Sequence, residues 1–129
     1  MDPALKAIEE DIRLACEVDR ALSPVFKQRY QCPLGQYVKP ELKELQDEIL
    51  SNGDRFIVTP DVYDIWWKVV SQWMPKLHIS TQKIVWWRCS GMGWKRVGEL
   101  LVEEKYTGTY FHRYTLYRYF VEGLKKMKE

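Results

Sequence analysis

Long hydrophobic runs are missing from this sequence. Its most apolar stretches, Ile65-Trp66-Trp67 and Ile84-Val85-Trp86-Trp87, are a few residues long, against the roughly 20 that a helix needs to cross a bilayer. No membrane partner is expected. The opening Met1-Asp2-Pro3 runs directly into Glu9, Glu10 and Asp11, without the basic start and apolar middle of a secretory signal. The expectation is a soluble, cytoplasmic protein. Cysteine is scarce: Cys16, Cys32 and Cys89 are odd in number and widely spaced, with no Cys-x-x-Cys, so they read as reduced thiols. Only His78 and His112 could add imidazole ligands, and neither stands at zinc-ligand spacing, so neither a metal nor another cofactor is expected.

Catalytic patterns are lacking as well. No nucleophile stands beside a base, and no glycine-rich phosphate loop occurs. Asp61 and Asp64, one turn apart, read as first-turn helix charges rather than paired catalytic carboxylates. The chain is therefore not expected to be an enzyme, and no small-molecule substrate is evident. No internal repeat or low-complexity tract is found beyond the short tail Lys125-Lys126-Met127-Lys128.

What is present is a core-forming composition: 129 residues, 46% hydrophobic, 29% charged and 14% aromatic. That is the regime of a globular chain rather than a disordered one, and the length suits a single domain over residues 1–129. Its expected parts are N-terminal helices with a wrapping loop over residues 1–58 and a helical core over 59–127. Net charge is +2 but unevenly spread, with ten Lys/Arg against thirteen Asp/Glu up to residue 79 and ten against five from residue 80 on. A basic C-terminal end is the electrostatic footprint of a polyanion-binding surface.

Periodicity predicts an all-α, compact fold of about five to six helices. Asp2-Pro3 combines a capping side chain with a proline suited to the first turn, and Leu5, Ile8, Ile12, Ala15, Cys16 and Leu22 then recur at helical spacing over residues 3–22. Pro24, Pro33, Gly35 and Pro40 predict a loop over 23–40. Leu42, Leu45, Ile49 and Leu50 mark a helix over 41–50 that stops at Ser51-Asn52-Gly53, and residues 55–58 read as extended. Thr59-Pro60 repeats the capping logic before a helix over 60–74, with Val62, Ile65, Trp66, Val69 and Trp73 in one stripe and Pro75 ending it.

From Ser80, read as a cap, a helix carries Ile84, Val85, Trp87 and Cys89 to the corner Gly91-Met92-Gly93. A short helix follows from Trp94, with Trp94, Val97 and Leu101 inward, Lys95 and Arg96 outside, and Gly98 admitting another helix. After residues 102–108, a last helix is predicted over 109–127. Leu116, Tyr117, Phe120, Val121, Leu124 and Met127 share its inner arc, and Phe111, His112, Thr115, Arg118, Tyr119, Glu122 and Lys126 its outer one. Cations for phosphates, Thr and Arg for base edges and rings for apolar contact make that outer arc a candidate reader of double-stranded DNA.

The stretch from Ile84-Val85-Trp86-Trp87 through Gly91-Met92-Gly93 to Trp94-Lys95-Arg96-Val97-Gly98-Glu99-Leu100-Leu101 resembles the first two helices of helix-turn-helix domains of the sigma-factor region 4 type. It is also similar to a small helix-turn-helix family from alphaproteobacteria and their phages, as are Phe56-Ile57-Val58-Thr59-Pro60 and Tyr63-Asp64-Ile65-Trp66-Trp67 upstream. The resemblance covers roughly residues 56–124. It implies a small transcriptional regulator or phage-derived DNA-binding protein. Lys95 and Arg96 would lie near phosphates, and Phe111, His112, Thr115, Arg118 and Tyr119 would lie in or beside the major groove. One departure is the linker over 102–108, longer than the usual three- or four-residue turn and carrying Glu103 and Glu104. A homodimer reading two half-sites is a further expectation. The competing reading is a helical protein-interaction adaptor, motivated by the acidic N-terminal helix and the six Trp and eight Tyr. It expects an exposed aromatic patch away from the basic face.

Overall fold

A computed structural model describes residues 2–29 and 38–129. Cys32, Pro33 and Gly35, which entered the reading of a thiol and of a loop, lie outside the described residues. The fold is all-α, with seven α-helices and no strand among the described residues.

Helix α1 (Pro3–Arg20) starts as its sequence dictates, the Asp2 carboxylate accepting from the Ala4 amide at 2.8 Å. Its stripe of Leu5, Ile8, Ile12, Ala15, Cys16 and Val18 is buried. Helix α2 (Pro24–Arg29) falls in the segment expected to be a loop. Ser23 nucleates it, accepting from the Phe26 amide at 3.2 Å while donating to Glu48 at 2.7 Å. A serine cap followed by proline at the first position outweighs the breaker count. In helix α3 (Leu42–Ser51), Leu45 and Ile49 are buried. Its Gln46 side chain clamps the extended residues beyond, donating to the Phe56 carbonyl at 2.9 Å and accepting from the Val58 amide at 2.8 Å.

Helix α4 (Pro60–Lys68) is capped by Thr59, which accepts from the Val62 amide. The expected single helix to residue 74 instead changes pitch twice, into a π-helical turn (Val69–Trp73) and a 3₁₀ turn (Met74–Lys76). Pro75 has no amide with which to continue an α ladder, and its ring would meet the carbonyl four residues back. The chain therefore passes through it by altering the turn rather than by stopping. Trp66 and Val69 are fully buried, while Val62, Ile65 and Trp73 are packed against the core from its edge.

Three helices complete the chain: α5 (Ile79–Cys89), α6 (Trp94–Glu103) and α7 (Arg113–Lys128). They contact one another pairwise, and α1 lies against α4, α5 and α7. Helix α1 thus lies between α4 on one side and α5 and α7 on the other. The expected Ser80 cap is instead His78, whose Nδ1 accepts from the Ser80 amide. The Ser80 hydroxyl is used elsewhere, donating to the Tyr106 carbonyl at 3.1 Å and pinning the α6–α7 linker to α5.

Candidate nucleic-acid interface

The α5–α6 corner forms as its glycines predict. The Gly91 amide donates to the Arg88 carbonyl and the Met92 amide to the Trp87 carbonyl, the paired bonds of a Schellman motif. This motif needs a left-handed residue, and Gly91 supplies it at φ 100°. Helix α6 then buries Val97, Gly98 and Leu101 and leaves Lys95 and Arg96 exposed.

The linker after α6 determines where α7 starts. The Tyr106 and Thr107 amides both donate to the Leu101 carbonyl, and Lys105 turns the chain with φ 62°. The chain then folds back across α6. A Cβ on Gly98 would lie 2.9 Å from the Tyr110 ring and 3.0 Å from the Phe111 carbonyl, so Gly98 makes room for the linker and not, as expected, for another helix. With residues 104–112 committed to this return path, α7 begins at Arg113 rather than near 109. Phe111 and His112 accordingly precede the helix. Phe111 is half-buried with its ring 5.7 Å from that of Tyr119, and His112 is the exposed N-cap residue beside Tyr110.

On α7 the buried face is Leu116, Phe120, Gly123, Leu124 and Met127. Gly123 sets its direction: a Cβ there would meet Thr81 Cγ2 at 3.0 Å and Val85 Cγ2 at 3.1 Å, so α5 packs directly on this glycine. The outward stripe is consequently Tyr114, Arg118, Glu122 and Lys125, with Lys126 alongside. Relative to the expected arc, Thr115 and Tyr119 rotate into half-burial. Tyr117, expected inside, is 45% exposed, and Tyr114 is 82% exposed. Arg118 holds its guanidinium 5.4 Å from the Tyr119 ring centroid.

The cations differ in how much of their charge is spent inside the protein. Arg96 is paired with Glu99 at 3.3 Å and Glu103 at 3.1 Å, and the Glu103 hydrogen bond holds it the more firmly protonated. Lys95, Arg113, Arg118, Lys125 and Lys126 have no ion pair among the described residues. Of the expected site residues, then, Lys95, His112 and Arg118 face solvent without an ion-pair partner. Arg96 is neutralised, and Phe111, Thr115 and Tyr119 are partly withdrawn.

Sequence reasoning missed Arg113, Tyr114, Tyr117 and Lys125, although Gly123 carried the signal that orients them. It also missed a cleft of about 580 Å³ beside the start of α7. Comparison with protein-family models, with curated proteins and with solved structures finds no match.

Proposed function

We propose that this chain binds double-stranded DNA, laying the N-terminal half of α7 in the major groove and setting the start of α6 against the phosphates, and that it acts by binding rather than by catalysis. The observation that carries the reading is the outward stripe of α7, where cations without an ion pair among the described residues stand among exposed tyrosines. A duplex offers phosphates to such cations and base edges to Arg and Tyr side chains. The adaptor reading expects its aromatic patch away from the basic face. Among the described residues every Trp is buried or half-buried, and the exposed rings, Tyr110, Tyr114 and Tyr117, all sit at the start of α7 beside Arg113. That distribution favours a nucleic-acid partner. A small transcriptional or phage-related regulator that pairs on two half-sites is the biological form of this proposal, and the stoichiometry of the complex tests the pairing.

Selection from a random duplex pool, followed by anisotropy titrations, tests the whole. Binding should weaken steeply with salt. Arg118→Ala should cost the selected duplex about 1–3 kcal/mol and relax sequence preference, while Lys95→Ala weakens every duplex alike and lowers the salt slope by about 1. Absence of any duplex binding at low ionic strength ends the proposal.

A further inference from the structure

The cleft beside the start of α7 lies where α1, α5, α6 and α7 meet. Trp94 and Phe120 form its inner wall, with ring centroids 5.7 Å apart, and Tyr117 meets Trp94 edge-on at 6.1 Å. Tyr114 stands at its rim with most of its ring in solvent. Two arginines enter it. Arg88 is held in place, stacked 4.5 Å from the Trp94 centroid and donating to the Met92 carbonyl at 3.1 Å. Arg113 is exposed and without an ion pair among the described residues. The cleft also contains one acid, Glu9, with a side chain only 15% exposed. Its Oε1 accepts from Arg13 at 2.7 Å, and its Oε2 has no partner among the described residues.

These features restrict the occupant. Ring walls favour a planar ligand, and a guanidinium fork favours a phosphate or carboxylate. A simple aromatic anion offers no donor to the half-buried Glu9 carboxylate. A nucleotide does, because the exocyclic amine of its base supplies the donor that a carboxylate needs. The volume of about 580 Å³ lies within the range of about 300–1,000 Å³ typical of small-molecule sites.

We propose that this cleft is a nucleotide site, binding a nucleoside monophosphate with an amino-bearing base. The ring lies against Tyr114 and Tyr117, the phosphate on Arg113 and the exocyclic amine on Glu9. The site goes beyond the duplex-binding reading and shares with it only the first turns of α7, so nucleotide and duplex compete. The same chemistry could come from a free nucleotide or from an unpaired nucleotide of a strand.

Calorimetric titration of the whole chain with GMP, AMP, CMP, UMP, guanosine and ribose 5-phosphate tests the site. The amino-bearing nucleotides should bind saturably. Guanosine and ribose 5-phosphate, each lacking one anchor, should bind at least about tenfold more weakly. Arg113→Ala should weaken GMP by about tenfold and leave guanosine unchanged. Glu9→Gln should erase the preference over UMP, since an amide serves an oxo edge as well as an amino edge. Thermal melts confirm that both variants fold. A short single-stranded oligonucleotide that binds through the same Arg113 and Glu9, when GMP does not, assigns the site to a strand. No saturable binding by either overturns it, as does GMP binding indifferent to both variants. Lys125→Ala with Lys126→Ala, outside the cleft, should weaken duplex binding and leave nucleotide binding intact. Nucleotide binding without duplex binding sinks only the DNA reading, and the reverse sinks only this site.

Discussion

Helices α1 and α7 each bury one apolar stripe in the same core, the first through Leu5, Ile8, Ile12 and Ala15, the second through Leu116, Phe120, Leu124 and Met127. Their charges are treated differently. On and around α1, Arg13 is tied to Glu9 at 2.7 Å, Asp19 to Lys27 at 3.1 Å and Asp11 to Lys68 at 3.6 Å, and Arg20 donates to the Ser90 carbonyl at 3.1 Å. On α7, Lys128 alone reaches a carboxylate, Asp2 at 4.0 Å, while Arg113, Arg118, Lys125 and Lys126 have no ion pair among the described residues. A cation beside a carboxylate contributes little field at a distance, and one without such a partner contributes all of its own. Among the described residues the charges without an ion pair are mainly cationic on α7, whereas on α1 they are Lys6, Arg20, Glu10 and Glu17, although both helices are equally part of the core.

The largest effects should come from the faces that are alike. Ile12→Ala on α1 and Leu124→Ala on α7, both fully buried, should each cost about 2–5 kcal/mol in denaturant unfolding. Replacing Arg113 and Arg118 together should move stability by no more than about 0.5 kcal/mol at each position. If the arginine pair proves as costly as the core residues, those cations are structural and the contrast between the helices collapses.

Helix α6 offers an intermediate case, because its Arg96 is charged like α7 but neutralised like α1. Substituting Glu99→Gln and Glu103→Gln together should release it. Duplex binding is then expected to strengthen at low salt and its salt slope to steepen by about 1, with little change in stability because solvent screens exposed pairs. An unchanged slope would falsify the assignment of α6 to the phosphate side.

Local signals with a direct mechanism were readable in the sequence. Asp2-Pro3, Thr59-Pro60 and Gly91-Met92-Gly93 each mark a real helix boundary, because a cap or a left-handed residue acts within a few positions of itself. The buried stripes of α1 and α6 and the polar exterior at Lys95 were readable for the same reason. What was lost depended on contacts distant in sequence. Nothing near residue 109 announces that the linker must return across Gly98, and that return, not helix propensity, delays α7 to Arg113. The outward face of α7 was misjudged because hydrophobicity was counted and Gly123 was not. Tyr117 is then expected inside an arc that the approach of α5 rotates, and Tyr114 falls on neither arc. The aromatic cleft needs four helices at once, one of them contributing Glu9 from far upstream, and no local pattern could have assembled it.

The last effect concerns the thiols that join α1 to α5, and it is absent at neutral pH. Burial pushes Cys16 up to about 11 from its ordinary value of 9.0 and Cys89 higher still, the neighbouring Cys16 thiolate adding to the rise at Cys89. Below about pH 9 the folded and unfolded chains both keep these protons, so the thiols add no pH dependence. Above it the unfolded chain loses them first and binds fewer protons than the native state, so stability falls as pH rises, up to the native Cys16 value near 11. Each thiol can contribute at most about 1.4 kcal/mol per pH unit in that window. Cys89→Ala should therefore flatten the alkaline decline of the denaturant midpoint even if the cavity it leaves lowers stability at neutral pH. Because the comparison is of slopes and not of absolute midpoints, cavity and titration separate. A decline as steep in the variant as in the parent would mean that the Cys89 thiol ionises as readily folded as unfolded, and that the α1–α5 contact is wetter than its packing requires.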